Sequence, residues 1–148
     1  MITILLPDQV ATYWDILGYA IEQSLPPIAS SNEERMNRVL TSLISGESLC
    51  WVSFNNGRIE AVCVTQIFQD IISRCNSLLI YSLYGFVDDL DSIWAEGISV
   101  LAKYAKAKNC EHIIAYTDNE RIIEMTDMFG GNSRRSFVSF NANHLLGG

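Results

Sequence analysis

The sequence predicts an α/β fold in which a central mixed β-sheet, with a β-hairpin inside it, is flanked by helices. Three observations carry that expectation. Two β-rich runs, Leu49–Phe54 and Arg58–Phe68, flank Asn55-Asn56-Gly57, and Asn-Gly supplies the positive φ angles of a tight hairpin turn. Segments with apolar residues at three- and four-residue steps lie on both sides of those runs, the period of helices with one buried face. The 148 residues are 49% apolar and 18% charged, a composition that folds into one domain spanning residues 1–148.

Charge and hydropathy exclude several classes of function. Seventeen acidic against ten basic side chains give a net charge of −7, so the overall field repels nucleic acid and anionic membranes. The longest apolar stretch, Leu78–Val87, is interrupted by Ser82 and Gly85 and falls well short of the roughly 20 residues that span a bilayer. The first residues carry no basic region and no small-residue cleavage site, which points to a cytoplasmic protein. Cys50, Cys63, Cys75 and Cys110 have no close spacing and read as reduced thiols. The C-x-x-C and H-x-x-x-H spacings of metal sites are absent, so no metal ligands are expected.

Taken in order, Ile2–Leu6 is a short strand ended by Pro7. Asp8–Leu25 is a helix with Val10, Trp14, Leu17, Ile21 and Leu25 on one face, stopped by Pro26-Pro27. Ser31-Asn32-Glu33-Glu34 has the form of a capping box opening a helix to about Ser45, which buries Met36, Val39, Leu40, Leu43 and Ile44 and ends at Gly46. After the hairpin, Ser77–Phe86 is a strand buried on both faces. Asp88–Asn109 is a helix with Ile93, Ile98, Leu101 and Ala105 inward and lysines near its C-terminus, where the helix dipole favours cations. His112–Thr117 is a strand, Asn119–Phe129 a short helix ending at Gly130-Gly131, and Phe137–Asn143 a last strand.

Three stretches resemble the GNAT superfamily of acyl-CoA-dependent N-acetyltransferases, over nearly the whole chain. Trp51–Val62 is similar to that family's central hairpin. Ala102–Cys110 is similar to the end of the long helix behind the cofactor. Ala115–Met125, followed by Phe129-Gly130, resembles the strand, Asn and short helix that close the acceptor side. The resemblance implies a GNAT-like fold, acetyl-CoA as cofactor and a set of site residues.

Carried over residue by residue, the cofactor site departs from the family's pattern. An Arg or Gln and a Gly-rich loop ordinarily cradle the pyrophosphate with backbone amides and a helix N-terminus. Those positions fall here on Asp89, then Leu90, Ser92 and Trp94, and the nearest glycines are Gly85 and Gly97. Leu and Trp side chains block the close approach that glycine permits. Asp88, Asp89 and Asp91 add repulsion, roughly 3 kcal/mol for one like-charged pair at about 5 Å and an effective dielectric near 20. The same aspartates also read simply as acidic residues stabilising a helix N-terminus. The family's general acid, a Tyr seven residues after the Asn, falls on Thr126, whose hydroxyl can orient a thiolate but protonates it poorly. Asn119 matches the family and equally fits a helix cap. Glu60 is a candidate base or an outward-facing strand carboxylate, and backbone donors near Leu83 and Tyr84 are candidates to polarise a thioester. Trp94 and Tyr84 are placed to fill the cofactor cleft.

His112 and His144 stand alone, and Arg134-Arg135 is too small a basic cluster for nucleic acid. No G-x-S-x-G, P-loop or Cys-His-Asn order marks a nucleophile. The expectation is a GNAT-fold protein that has lost its pyrophosphate loop and acid, binds no cofactor, and works as a binding or assembly module for a protein partner or a second copy of itself. Degenerate members of this kind resemble small proteins from the structural-gene regions of tailed phages, which implies virion association. The alternative is an active acetyl-CoA-dependent N-acetyltransferase with an atypical cofactor pose.

Overall fold

The computed structural model describes residues 1–27 and 29–147. Its centre is a five-stranded sheet whose strands lie side by side in chain order: β1 (Ile2–Ile4), β2 (Leu49–Asn55), β3 (Arg58–Gln69), β4 (Asn76–Gly85) and β5 (His112–Ala115). The first three pairings are antiparallel and β4–β5 is parallel. The mixed sheet and its hairpin are as the sequence predicts. Asn56 and Gly57 take φ angles of 52° and 75°, the left-handed pair that closes a two-residue hairpin in step with strand twist.

Alternation along the strands divides the core between two faces. Cys50, Val52, Val62 and Val64 meet Val10, Leu17, Ala20 and Ile21 from α1 (Pro7–Thr12) and α2 (Trp14–Gln23), and Met36 and Leu43 from α3 (Glu33–Ser45). Trp51, Cys63, Leu78 and Ile80 meet Leu101 and Ala105 from α4 (Asp91–Ala107) on the opposite face. Trp51 donates its indole N–H to the Thr65 hydroxyl at 2.8 Å, so this buried polar pair is satisfied.

Several expected boundaries shift for identifiable reasons. The helix expected over Asp8–Leu25 is two helices meeting at Tyr13, whose ring lies edge-on to Phe54 with centroids 6.3 Å apart. Pro7 starts α1 rather than merely ending β1, and the Gln9 carboxamide accepts the Leu6 N–H at 2.8 Å. Asn32 caps α3 in place of Ser31, its Oδ1 accepting from Arg35 N at 2.8 Å, while Gly46 at φ 82° ends that helix as expected. Ile44, expected to be buried, is exposed. The helix expected from Asp88 begins at Asp91, so Asp88 and Asp89 lie outside its first turn and only Asp91 complements the dipole there.

The largest correction is at the C-terminal end. After α5 (Glu120–Met128), the segment expected as a strand over Phe137–Asn143 makes no ladder, and α6 (Ala142–Leu145) begins inside it. Phe137, Val138 and Phe140 are exposed. A strand needs a partner edge, and β5 has only four residues to offer. Phe137 docks instead by stacking on Tyr116, centroids 4.8 Å apart. Among the described residues, no helix is long and apolar enough to cross a membrane.

Candidate functional site

The C-terminal ends of the parallel pair β4 and β5 open the site. Among the described residues β5 pairs only with Ser77–Ile80, and the outer edge of Tyr81–Gly85 has no neighbouring strand. The register with β3 slips there: Val64 faces Ser82 and Thr65 faces Ile80, which makes Tyr81 the extra residue of a bulge. The Phe86 N–H bonds the Glu60 carbonyl at 2.8 Å and fixes the alternation beyond the bulge. Counting back from it, Tyr84 exchanges hydrogen bonds with β3 and the Leu83 amide is turned to the open edge. Of the two backbone donors proposed from the sequence, Leu83 is therefore the one that faces the cleft. The Tyr84 side chain lies on the opposite face from Trp94, edge-on to Tyr19 at 5.9 Å and to Phe86 at 5.0 Å, and does not fill the cleft.

The β4–α4 connection closes over this edge. A Cβ built at Gly85 would overlap the end of the Leu90 side chain, so Leu90 is folded back onto the Gly85 backbone. Leu90 is also the residue preceding α4, and its carbonyl accepts the Trp94 N–H at 2.7 Å. Ser92 and Trp94 are the second and fourth residues of a regular helix. Trp94, like Leu83, packs against the core cluster of Trp51, Cys63, Leu78, Ile80, Leu101 and Ala105, and among the described residues its buried indole N–H has no hydrogen-bond partner. Leu90 thus lies on the Gly85 backbone where the loop meets α4, and the span from Leu90 to Trp94 is the start of a regular helix rather than a glycine loop. Asp89 is exposed in the loop before it.

Across the cleft, α5 contributes a clasp. The Arg121 guanidinium donates to the Asp88 carbonyl at 2.9 Å and lies 3.8 Å from the Asp91 carboxylate. The open cleft between these elements, about 530 Å³, is lined by Asp91, Glu120, Arg121, Glu124, Met125 and Met128. Three carboxylates face a single guanidinium that is already engaged, so the cleft repels anions.

The remaining sequence candidates are occupied by structural duties. Asn119 caps α5, its Oδ1 accepting from Arg121 N at 3.0 Å and Ile122 N at 3.4 Å. Thr126 donates its hydroxyl proton to the Ile122 carbonyl at 2.8 Å and contributes its methyl group to a close approach by Gly131. It has no free proton for a leaving group in this rotamer. Glu60 is the extra residue of a bulge opposite Ser53–Phe54, and its carboxylate accepts from the Asn55 carboxamide at 3.0 Å across the hairpin.

A second cleft, about 340 Å³, lies between α3 and the sheet and was not foreseen from the sequence; Arg35, Arg38, Ser48, Gln66 and Tyr81 are among its lining residues. Arg35 is held by the Ser30 carbonyl and Arg38 by Glu34 at 2.7 Å. Burial raises the Tyr81 hydroxyl above its ordinary pKa although Arg35 opposes the shift. Tyr81 reaches this cleft through its bulge, and a bulge inside a continuous apolar strand leaves no periodic signal.

By sequence, no family model and no curated protein matches the chain. By structure, it superposes on a probable acetyltransferase with a TM-score of 0.73 at 12% identity, covering 95% of both chains. A predicted acetyltransferase from Clostridium acetobutylicum, solved with acetyl-CoA, gives 0.73 at 12% identity over 97% of both chains. An aminoglycoside antibiotic 6'-N-acetyltransferase from Acinetobacter haemolyticus gives 0.74 at 12% identity, over 95% of this chain and 97% of the other. The five-stranded sheet with helices on both faces is therefore a known architecture: the chain has the fold of the GNAT acetyltransferases.

Proposed function

We propose that this chain is an acetyltransferase-fold domain that does not accept CoA in the ordinary pose and acts as a binding module. The observation that carries the reading is Leu90 folded onto the Gly85 backbone, where an approaching pyrophosphate would need open amides. The acidic lining of the neighbouring cleft and the Arg121 clasp on Asp88 act in the same direction. Thr126, at the position of the family's acid, spends its proton on its own helix. A protein partner has a surface to use at this end of the sheet, where Tyr19, Tyr84 and Phe86 form a partly exposed aromatic group. Aromatic side chains of this kind supply much of the contact energy in protein interfaces.

One observation favours the rival, an active N-acetyltransferase. The Leu83 amide faces an edge that no strand covers, which is where a donor would polarise a thioester. Turnover separates the two readings. Incubated with acetyl-CoA and a panel of primary amines, including an aminoglycoside and a peptide N-terminus, the chain is expected to release no free CoA above the protein-free blank when products are resolved chromatographically. CoA release that saturates with any amine overturns the binding-module reading and installs the enzyme.

A further inference from the structure

At the opposite end of the sheet, the β3–β4 connection and the start of β5 bring together three side chains that sequence distance conceals. The parallel register sets Ser77 beside His112, and the Glu111 N–H bonds the Asn76 carbonyl at 2.9 Å, so Cys75 lies alongside Glu111 and His112. The Cys75 thiol is 3.2 Å from Glu111 Oε2 and donates to it. One ligand-capable atom from each of Cys75, Glu111 and His112 lies within 4.8 Å of the other two. Neither Glu111 nor His112 has a role in the cleft described above.

We propose that Cys75, Glu111 and His112 form a binding site for one borderline-soft divalent cation of the Zn²⁺ class. The donor set carries the choice of ion: thiolate and imidazole select Zn²⁺ and its neighbours over Mg²⁺ and Ca²⁺, which take oxygen ligands. Charge agrees, because one thiolate and one carboxylate neutralise a dication while the imidazole binds neutral. Geometry agrees as well. Ligand atoms around a tetrahedral Zn²⁺ stand roughly 3.3–3.6 Å apart at ordinary Zn–S, Zn–N and Zn–O lengths. Contraction from 4.8 Å asks only for rotation of Glu111 and His112, both exposed.

Cys75 is the fixed member. Its loop is closed by the Asp70 N–H on the Cys75 carbonyl at 3.0 Å and by the Arg74 N–H on the Asp70 carbonyl at 2.6 Å, with Arg74 at φ 60°. The Cys75 N–H bonds the Ser73 hydroxyl at 3.2 Å, and Asp70 Oδ1 accepts from Ile72 N at 3.0 Å. On metal entry the thiol proton leaves to solvent, the sulfur becomes a thiolate ligand, and Glu111 exchanges a thiol hydrogen for the metal. Water completes the fourth position. The bound ion would clip the β3–β4 loop to β5, and this proposal stands independently of what the CoA cleft does.

Co²⁺ titration of the untagged full chain tests it. The expected result is a near-ultraviolet sulfur-to-cobalt absorption that saturates at one Co²⁺ per chain, releases about one proton, and is reversed by Zn²⁺ but not by Mg²⁺. Cys75→Ser should abolish the band, and His112→Ala should weaken Co²⁺ binding at least about tenfold. The exposed His112 makes that variant informative even if the cysteine variant folds poorly. No band, a band that persists in Cys75→Ser, or unchanged affinity in His112→Ala overturns the site.

Discussion

Adding one methyl group at Gly85 should unseat Leu90. A Cβ at residue 85 would lie 2.5 Å from Leu90 Cδ1 and closer still to Cδ2, against the 3.4 Å or more of ordinary contact. The obstructing atoms are the end of a flexible side chain, so Leu90 swings away rather than the strand deforming. The loss is then capped by the burial of one half-buried leucine, about 1 kcal/mol when full burial contributes about 1.5–3 kcal/mol. Set against it, replacing a strand glycine by alanine removes unfolded-state freedom and gains about 0.5 kcal/mol. Gly85→Ala alone should therefore destabilise by about 0.5 kcal/mol, while in a Leu90→Ala background the same change should stabilise by about 0.5 kcal/mol. Urea denaturation of the four proteins measures the coupling, expected near 1 kcal/mol. Additivity within about 0.3 kcal/mol would show that Leu90 does not rest on Gly85 and would remove the observation on which the closed cleft stands.

Other consequences follow from individual contacts. Thr65→Val strands the buried Trp51 N–H, which now bonds Thr65 at 2.8 Å, and should cost about 1–3 kcal/mol in the same denaturation assay. Asn119→Ala should lower stability by about 1 kcal/mol through loss of the α5 cap, with no change in the response to acetyl-CoA; a change in that response would return Asn119 to the binding site. Burial raises the Cys50 thiol from 9.0 to about 12, so the folded chain keeps a proton there that the unfolded chain loses above pH 9. That contribution is complete below pH 9 and fades as pH rises to about 12, at about 1.4 kcal/mol per pH unit for one proton. Cys50→Ala should remove one proton's worth of the alkaline slope, and an unchanged slope would refute the assignment.

What could be read from the sequence was whatever local chemistry decides. Asn56-Gly57 dictates a left-handed pair, and strand alternation on either side of it dictates the hairpin. Gly46 dictates the end of α3 in the same way. The missing loop glycines were equally plain, because a Leu or Trp side chain is visible in one letter. What could not be read was decided by partners distant in the chain. Phe137–Asn143 has the alternation of a strand and no edge to join. Tyr13 lies where the two helices meet, its ring edge-on to Phe54, a neighbour that β2 brings from far along the chain. Leu90 could be predicted to obstruct the loop, but not to lie on Gly85. Tyr81 and Glu60 owe their positions to bulges, which shift register without altering composition. Cys75 and His112 meet only because β4 and β5 run parallel.

Calorimetric titration of the unaltered chain with acetyl-CoA decides whether the end of β4 holds CoA. Leu90 seated on Gly85, beside an acid-lined cleft, predicts no saturable heat up to about 1 mM, an interaction weaker than about 4 kcal/mol. A one-to-one isotherm with a micromolar dissociation constant, about 8 kcal/mol, would show that Leu90 and the acidic lining do not exclude CoA.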